Sequence, residues 1–183
     1  MTGPALRRLV HASSALPLLL VPVAGWSVLA FVVSVAVVVG WMLETARIMD
    51  PRVHGYLSRL VPVFRAAETR RPCGAAWLGA GYLFAVWFPS PAPAAAILVV
   101  ALADPAASLV GSRFSPAPVG AKTLAGSAAH FAVACAVLAA LAYPWWLVLG
   151  VATLVTALER WSAPLNDNLV VPPAVALAVT LLG

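Results

Sequence analysis

Long stretches without a charged side chain divide this sequence, and they constrain its fold more than any other feature. The charged residues fall into four groups, which are Arg7–Arg8, Glu44 to Arg71, Asp104 to Lys122 and Glu159 to Asp167. The uncharged stretches are 12–43, 72–103, 123–158 and 168–183. A membrane-spanning helix needs about 20 apolar residues. The first three stretches are therefore too long for one span and slightly short for two, whereas the last suits a single helix.

Each of the three longer stretches has a break near its middle. Pro22 and Gly25 interrupt the first, the run PSPAP from Pro89 interrupts the second, and Tyr143-Pro144 interrupts the third. Because proline and glycine commonly end or bend helices, we predict three helical hairpins and one closing helix. The expected fold is an all-α integral membrane protein, a polytopic bundle of about seven short transmembrane helices in one domain over residues 1–183. For residues 12–43, one long tilted helix or a re-entrant element remains an alternative.

The composition supports a membrane protein and sets its expected orientation. The chain is 63% hydrophobic and 9% charged, whereas soluble domains have roughly 25% charged residues. The net charge of +5 does not indicate a nucleic-acid partner, because the basic residues are few and flank apolar segments. If each uncharged stretch crosses and returns, all four charged groups face one side. Residues 44–71 carry six of the basic residues, so the positive-inside rule predicts a multi-pass protein with its active site on the cytoplasmic face.

The segment from Ala101 to Ser127 has the strongest indications of chemistry. Asp104 lies in an apolar run, where an aspartate costs about 2.5–3.5 kcal/mol near the centre of a membrane helix and usually has a partner or a function. The following loop contains Lys122, the only lysine of the chain. Glycines let a backbone approach phosphate closely, and successive N–H groups can bind an anion. We therefore predict phosphate binding by Arg113, Gly120, Lys122, Thr123, Gly126 and Ser127, although no Walker A motif is present.

Acidic and amide side chains recur near the last apolar segment. Glu159 is followed by Asn166, Asp167 and Asn168, and hard oxygen ligands of this kind suit Mg²⁺, which proteins usually bind through one or two carboxylates and substrate phosphates. We predict Asp104, Glu159 and Asp167 as metal ligands. His130 is read as a satisfied interior histidine.

Other polar residues have both an ordinary and a functional interpretation. Arg8 and His11 could be an orienting arginine and an incidental histidine, Glu44 and Arg47 an ion pair at a helix end, and Glu68 one member of a solvated charge run. Alternatively, all five support the site.

Taken together, these blocks resemble the CTP-dependent lipid kinases, which include dolichol and polyprenol kinases, phytol kinase and the CTP-dependent diacylglycerol kinase. The blocks that carry the resemblance, in the order of the family, are RRLVH, ETAR, RAAETRRP leading into GAAWLGAGYL, ALADPAASLVG, GAKTLAGS and ALERWSAPLNDNLVVP. The loop of the family commonly reads GKKSLEGS. This chain departs from it with Ala121 and Ala125 in place of lysine and glutamate.

The resemblance implies a membrane enzyme that transfers the γ-phosphate of a nucleotide, typically CTP, to the hydroxyl of a lipid alcohol such as a polyprenol, phytol or diacylglycerol. It implies that Asp104, Lys122, Gly126, Glu159, Asp167 and Asn168 lie at or near the nucleotide–Mg²⁺ site. We expect Asp104, Lys122 and Asp167 to be catalytic, with Asp104 preferred over Glu44 and His11 as general base. The alternatives are a CTP-using phosphatidate cytidylyltransferase, whose long lysine–aspartate signature is absent, and a small transporter or scaffold.

Overall fold

The chain folds into a bundle of helices. The computed structural model describes residues 3–60, 64, 68–114 and 122–183, and these residues form helices and turns without a strand. The helices are α1 (Gly3–Ser13), a 3₁₀ helix (Leu16–Leu20), α2 (Val21–Met49), α3 (Pro51–Leu60), α4 (Gly74–Ala85), α5 (Ala92–Phe114), α6 (Leu124–Ala140), α7 (Trp145–Trp161) and α8 (Asp167–Leu182). The predicted helical class is confirmed.

The helix boundaries follow the proline-rich breaks. Residues 86–91 separate α4 from α5, and residues 141–144 separate α6 from α7, so the two breaks expected at PSPAP and at Tyr143-Pro144 are confirmed. Thr123 and Asn166 begin α6 and α8 as N-caps, because their side-chain oxygens accept backbone N–H groups of the first turn.

Five helix ends meet at one end of the bundle, which we call the polar end. Glu44, near the end of α2, accepts the backbone N–H of Cys73 at the start of α4. Asn168, in the first turn of α8, donates its side-chain amide to the carbonyl of Gly74 in α4. Lys122, just before α6, contacts the last turn of α7 and the first residue of α8. The chain therefore returns to this end after each apolar pair, as the fold-back prediction required.

Residues 3–49 also reverse direction. His11 of α1 faces Asp104 of α5. Ser14, which follows α1, contacts the Tyr82 hydroxyl, and this hydroxyl donates to the carbonyl of Ile97, seven residues before Asp104 in α5. Because α5 runs toward the polar end, α1 runs away from it, and α2 returns to it. Gly25, with φ 81° and ψ 172°, breaks the helix between the two directions in a conformation that glycine adopts readily. Residues 12–43 thus form two antiparallel segments.

Two helical stretches, Gly3–Met49 and Ala92–Phe114, are long and apolar enough to cross a membrane by length and composition. Helices α2, with 29 residues counted across the break at Gly25, and α5, with 23 residues, extend past the charged residues that bound the uncharged stretches. The reason is that Glu44, Arg47 and Asp104 lie inside helices and find partners there, so charged groups do not mark helix ends at these positions. The shorter apolar helices include Leu124–Ala140 and Asp167–Leu182.

The centre of the bundle is α5. Its small side chains, including Ala95, Ala96, Val99, Val100 and Ala103, are fully buried, and the helix contacts α1, α4, α6 and α8. This packing brings Asp104 between α1 and α6.

Candidate functional site

The first part of the candidate site is the lysine cluster, formed by Lys122, Glu159 and Asp167. The Nζ atom of Lys122 contacts Glu159 Oε1 and lies 2.5 Å from Asp167 Oδ2. Burial lowers the pKa of Lys122, but the carboxylates of Asp167 and Glu159 outweigh this effect and hold the pKa above its usual value. The lysine is therefore charged at neutral pH. With 40% of its side chain exposed, it remains within reach of a ligand at the polar end.

The two carboxylates of the lysine cluster fit one kind of metal site. Glu159 is buried, and its Oε2 atom has no hydrogen-bond partner among the described residues, so this oxygen is an acceptor that could bind a cation. Over the part of the chain that the structure describes, no group of three or more His, Cys, Asp or Glu side chains could hold a metal ion. Two carboxylates therefore suit Mg²⁺ completed by water and phosphate oxygens, but not a metal held by protein ligands alone.

Asp104 is not brought together with the other two predicted metal ligands. Among the described residues, no hydrogen bond or ion pair joins Asp104 to Lys122, Glu159 or Asp167. Its charged neighbours are histidines instead.

Residues at the start of α6 and the end of α7 extend the lysine cluster. The Thr123 side chain accepts the N–H of Gly126 at 3.0 Å, which leaves its hydroxyl proton available for an anion. Arg160 donates to Ser127 Oγ at 3.1 Å, so a guanidinium that was not predicted from the sequence lies beside one predicted phosphate contact. Arg113 is exposed in the last turn of α5. The prediction for Gly120 lies outside the described residues.

The second part is the histidine cluster, formed by His11, Asp104 and His130. His11 Nδ1 lies 3.8 Å from Asp104 Oδ2, and His130 Nε2 lies 3.4 Å from Asp104 Oδ1. Both nitrogens are buried, and these distances exceed those of a good hydrogen bond, so neither nitrogen has a hydrogen-bond partner in the part of the chain that the structure describes. Asp104 itself is 18% exposed, so the carboxylate is flanked by two nitrogen atoms yet still open on one side.

His130 is held in place from the other side of its ring. The imidazole is fully buried, and its Nδ1 lies 3.0 Å from Thr156 Oγ1 in α7. If the Thr156 hydroxyl donates to Nδ1, the proton of a neutral ring is on Nε2 and points toward Asp104. The opposite tautomer would direct a nitrogen lone pair at a carboxylate. The geometry therefore favours an Nε2–H donor. The sequence-based prediction that His130 is a satisfied interior histidine is right about its burial. It does not account for Nε2, which has no hydrogen-bond partner among the described residues.

The third part is a structural clamp formed by Glu44, Arg47 and Glu68. Arg47 is 1% exposed and donates to both oxygens of Glu44 at 2.8 Å. It also donates to the carbonyls of Glu68 and Arg71 at 2.9 Å. Its hydrogen bonds fasten residues 68–73 to α2. Asn168 of α8 joins the clamp at Gly74. Its side-chain amide donates to the carbonyl of Gly74, and the backbone N–H of Gly74 donates to the Glu68 carboxylate.

The predicted supporting residues thus divide by environment. His11 joins Asp104, and Glu44, Arg47 and Glu68 hold the helix ends. Arg8 has a buried Nε without a hydrogen-bond partner. His130, Thr156 and Arg160 were not predicted. A titratable side chain in the apolar run after Gly126 was the one available signal for His130.

No protein-family model matches this sequence, and comparisons with curated proteins and with solved structures gave no match.

Proposed function

We propose that the protein is a membrane-embedded kinase that transfers the γ-phosphate of a nucleoside triphosphate, CTP in the first instance, to the hydroxyl of a lipid alcohol. The lysine cluster forms the phosphate-donor side of the site, at the polar end. The histidine cluster forms the acceptor side, deeper in the bundle.

The surface of the bundle supports its place in a membrane. Large apolar side chains are exposed on several helices, among them Leu19, Phe31, Val38, Met42 and Leu109. Exposed aromatic residues lie toward both ends, with Trp87, Trp145 and Trp146 away from the polar end and Tyr56, Phe114 and Trp161 near it, as expected for residues at the two interfaces of a bilayer. Seven segments then cross the membrane: α1 with its 3₁₀ helix, α2, α4, α5, α6, α7 and α8. Helix α3 lies at the cytoplasmic surface.

One observation supports the functional proposal: the only lysine of the chain joins two carboxylates at the polar end, and a third carboxylate, Asp104, faces two histidine nitrogens that have no hydrogen-bond partner among the described residues. His130 follows the N-cap Thr123 by seven residues, so it lies roughly 10 Å deeper along α6 at 1.5 Å per residue. A triphosphate at the lysine cluster could direct its last phosphate toward Asp104. Scaffold residues would instead be expected to satisfy one another fully.

The chain's own residues account for most of what phosphoryl transfer needs, which is positioning and neutralisation of charge. Lys122 and Arg160 neutralise phosphate oxygens, and Thr123 and Ser127 orient them. Glu159 and Asp167 would hold Mg²⁺, which would supply neutralisation of the phosphate charge. In that state the ammonium of Lys122 moves from the carboxylates to the phosphates. Asp104 orients the acceptor hydroxyl and receives its proton.

The test uses the purified protein with Mg²⁺, a panel of lipid alcohols, and CTP or ATP labelled at the γ-phosphate. We expect a labelled lipid phosphate and an equal amount of nucleoside diphosphate. Release of pyrophosphate from phosphatidate and CTP would instead identify a cytidylyltransferase. Failure of the protein to bind or turn over either nucleotide would overturn the kinase proposal and favour a transporter or scaffold.

A further inference from the structure

We infer that His130, held by Thr156, positions the acceptor hydroxyl on Asp104, so that the histidine cluster is an alcohol-binding site separate from the nucleotide site. This inference rests on the proposed kinase function and assigns its acceptor side.

The first argument is the state of the polar atoms. His130 Nε2 and His11 Nδ1 are both buried and unpartnered, and both face the same carboxylate. An unsatisfied buried donor costs about 1–3 kcal/mol. A hydroxyl group that binds in the cluster relieves this cost, because its oxygen accepts from an imidazole N–H while its proton points to Asp104. An anionic phosphate would meet the Asp104 carboxylate, so a neutral alcohol is the ligand that the cluster favours.

The second argument is the attachment of His130. Three other threonines, Thr45, Thr153 and Thr180, donate their hydroxyls to carbonyls four residues earlier in their own helices. Thr156 bonds the His130 ring instead. The hydroxyl fixes the ring orientation and leaves Nε2 as the nitrogen that faces Asp104. His130 and Asp104 therefore both touch the acceptor hydroxyl, His130 as donor and Asp104 as acceptor, and Thr156 is the positioning residue that acts through the His130 ring.

The chemical step balances with these residues. The alcohol oxygen forms a bond to the γ-phosphorus, and the bond from that phosphorus to the β–γ bridging oxygen breaks. The nucleoside diphosphate leaves with the electron pair. The hydroxyl proton passes to a carboxylate oxygen of Asp104, and from there to water through His11, whose side chain is 19% exposed.

The test compares matched substitutions of His130 and the threonines. His130→Asn keeps a polar group near Thr156 but removes the donor toward Asp104, whereas His130→Gln places an amide N–H near the position of Nε2. We expect His130→Asn to lower kcat at least tenfold and to raise KM for the alcohol, with KM for the nucleotide unchanged. His130→Gln should recover most of the loss. Thr156→Val should lower kcat and raise the KM for the alcohol as His130→Asn does, but by a smaller factor. Thr153→Val, the same substitution one turn earlier in α7, should leave both constants within twofold of the wild-type values.

A binding measurement covers variants that fold poorly. In wild-type protein labelled with ¹⁵N-histidine, the alcohol found active in the panel should shift the His130 Nε2 resonance without nucleotide. CTP alone should leave this resonance unchanged. Two results would overturn this inference and leave the kinase proposal standing. One is active wild-type protein whose His130 resonance does not shift when the alcohol is added. The other is an equal rise in both KM values in the His130→Asn and His130→Gln variants. Wild-type protein that phosphorylates no alcohol would overturn both.

Discussion

At the scale of single residues, Lys122 is the group on which the donor side depends. Lys122→Met removes the one cation between Glu159 and Asp167 and leaves two carboxylates facing incoming phosphates. We expect kcat/KM for the nucleotide to fall about 10²-fold or more, as for other preorganised charges at a reacting phosphate, with KM for the alcohol unchanged. Steady-state kinetics with each substrate varied in turn measures both. Arg59→Met removes an exposed cation from α3 and should leave activity within twofold. Equal losses in the two variants would show that overall charge matters, not this position.

The pKa of Lys122 gives a second prediction at this scale. Because the pKa lies above its usual value of 10.5, the folded state binds the proton more tightly than the unfolded state. The stabilisation is fully present below the unfolded pKa and is lost only as the pH rises through the folded one. Stability curves of wild type and Lys122→Met should therefore run parallel from roughly pH 6 to 9 and converge above the usual lysine pKa. Convergence below pH 9 would contradict the raised pKa.

The two parts of the site were predictable from the sequence to different degrees. Lys122, Glu159 and Asp167 flank uncharged stretches, so the fold-back alone brought them to one end. The partners of Asp104 depend on how α1 lies against α5, and no spacing in the sequence encodes that. His130 was recognisable as buried from its apolar surroundings. The direction of its second nitrogen follows from a contact with Thr156, 26 residues away, which only the packing of α6 on α7 reveals.

At the scale of elements, the contact between α4 and α8 positions the polar end. Pro172 lies inside α8, so it leaves the carbonyl of Asn168, four residues earlier, without its helical donor. Gly81 of α4 packs against this carbonyl, and a Cβ atom added there would collide with it and lie 2.9 Å from Pro172 Cγ. Helix α8 therefore approaches α4 as closely as a glycine allows. The same close approach sets the Asn168 amide on Gly74.

Gly81→Ala should consequently separate α4 from α8. We expect a loss of about 1–3 kcal/mol in the free energy of unfolding, the usual cost of overpacking, and a parallel loss of nucleotide affinity because Asp167 begins α8. Thermal unfolding in detergent and nucleotide titration measure the two effects. Gly150→Ala is the matched control, since α7 has open space at that position, and it should retain or raise stability. Because alanine favours a helix more than glycine does, comparable destabilisation by both changes would show that the loss in Gly81→Ala does not come from its close contact with α8.

Helix lengths show what the sequence could and could not predict at this scale. The proline-rich breaks predicted where α4 ends and α5 begins, and where α6 ends and α7 begins, because proline restricts the backbone locally. Charged residues bound the uncharged stretch 12–43, yet α2 continues through Glu44 and Arg47 to Met49. A buried ion pair one helical turn apart lets both residues stay in the helix, so the charged residues alone did not determine where this helix ends.

At the scale of the whole molecule, the proposed membrane kinase has to meet two opposing requirements. Apolar helices need lipid around them, whereas a triphosphate needs water and cations. Helices α6 and α8 have 17 and 16 residues, roughly 24–26 Å in length, which is less than the 30 Å or so of a bilayer's hydrocarbon core. In the proposed kinase, short helices around the longer α5 would let a soluble nucleotide at the polar end approach a lipid hydroxyl that lies at intermediate depth.

This arrangement predicts the sidedness of single cysteines. With Cys73 and Cys135 replaced by alanine, Ser112→Cys and Ala163→Cys report on the polar end, and Ser90→Cys reports on the opposite end; all three positions are exposed. In sealed right-side-out vesicles, a membrane-impermeant maleimide should label Ser90→Cys at once and the other two only after permeabilisation. The reverse pattern would keep the bundle and invert its orientation, which would deny the site access to cytoplasmic nucleotide. Labelling of all three from outside would mean that the chain does not fold back across a bilayer. The lysine cluster would then be a surface ion pair instead of the nucleotide-binding part of a kinase active site.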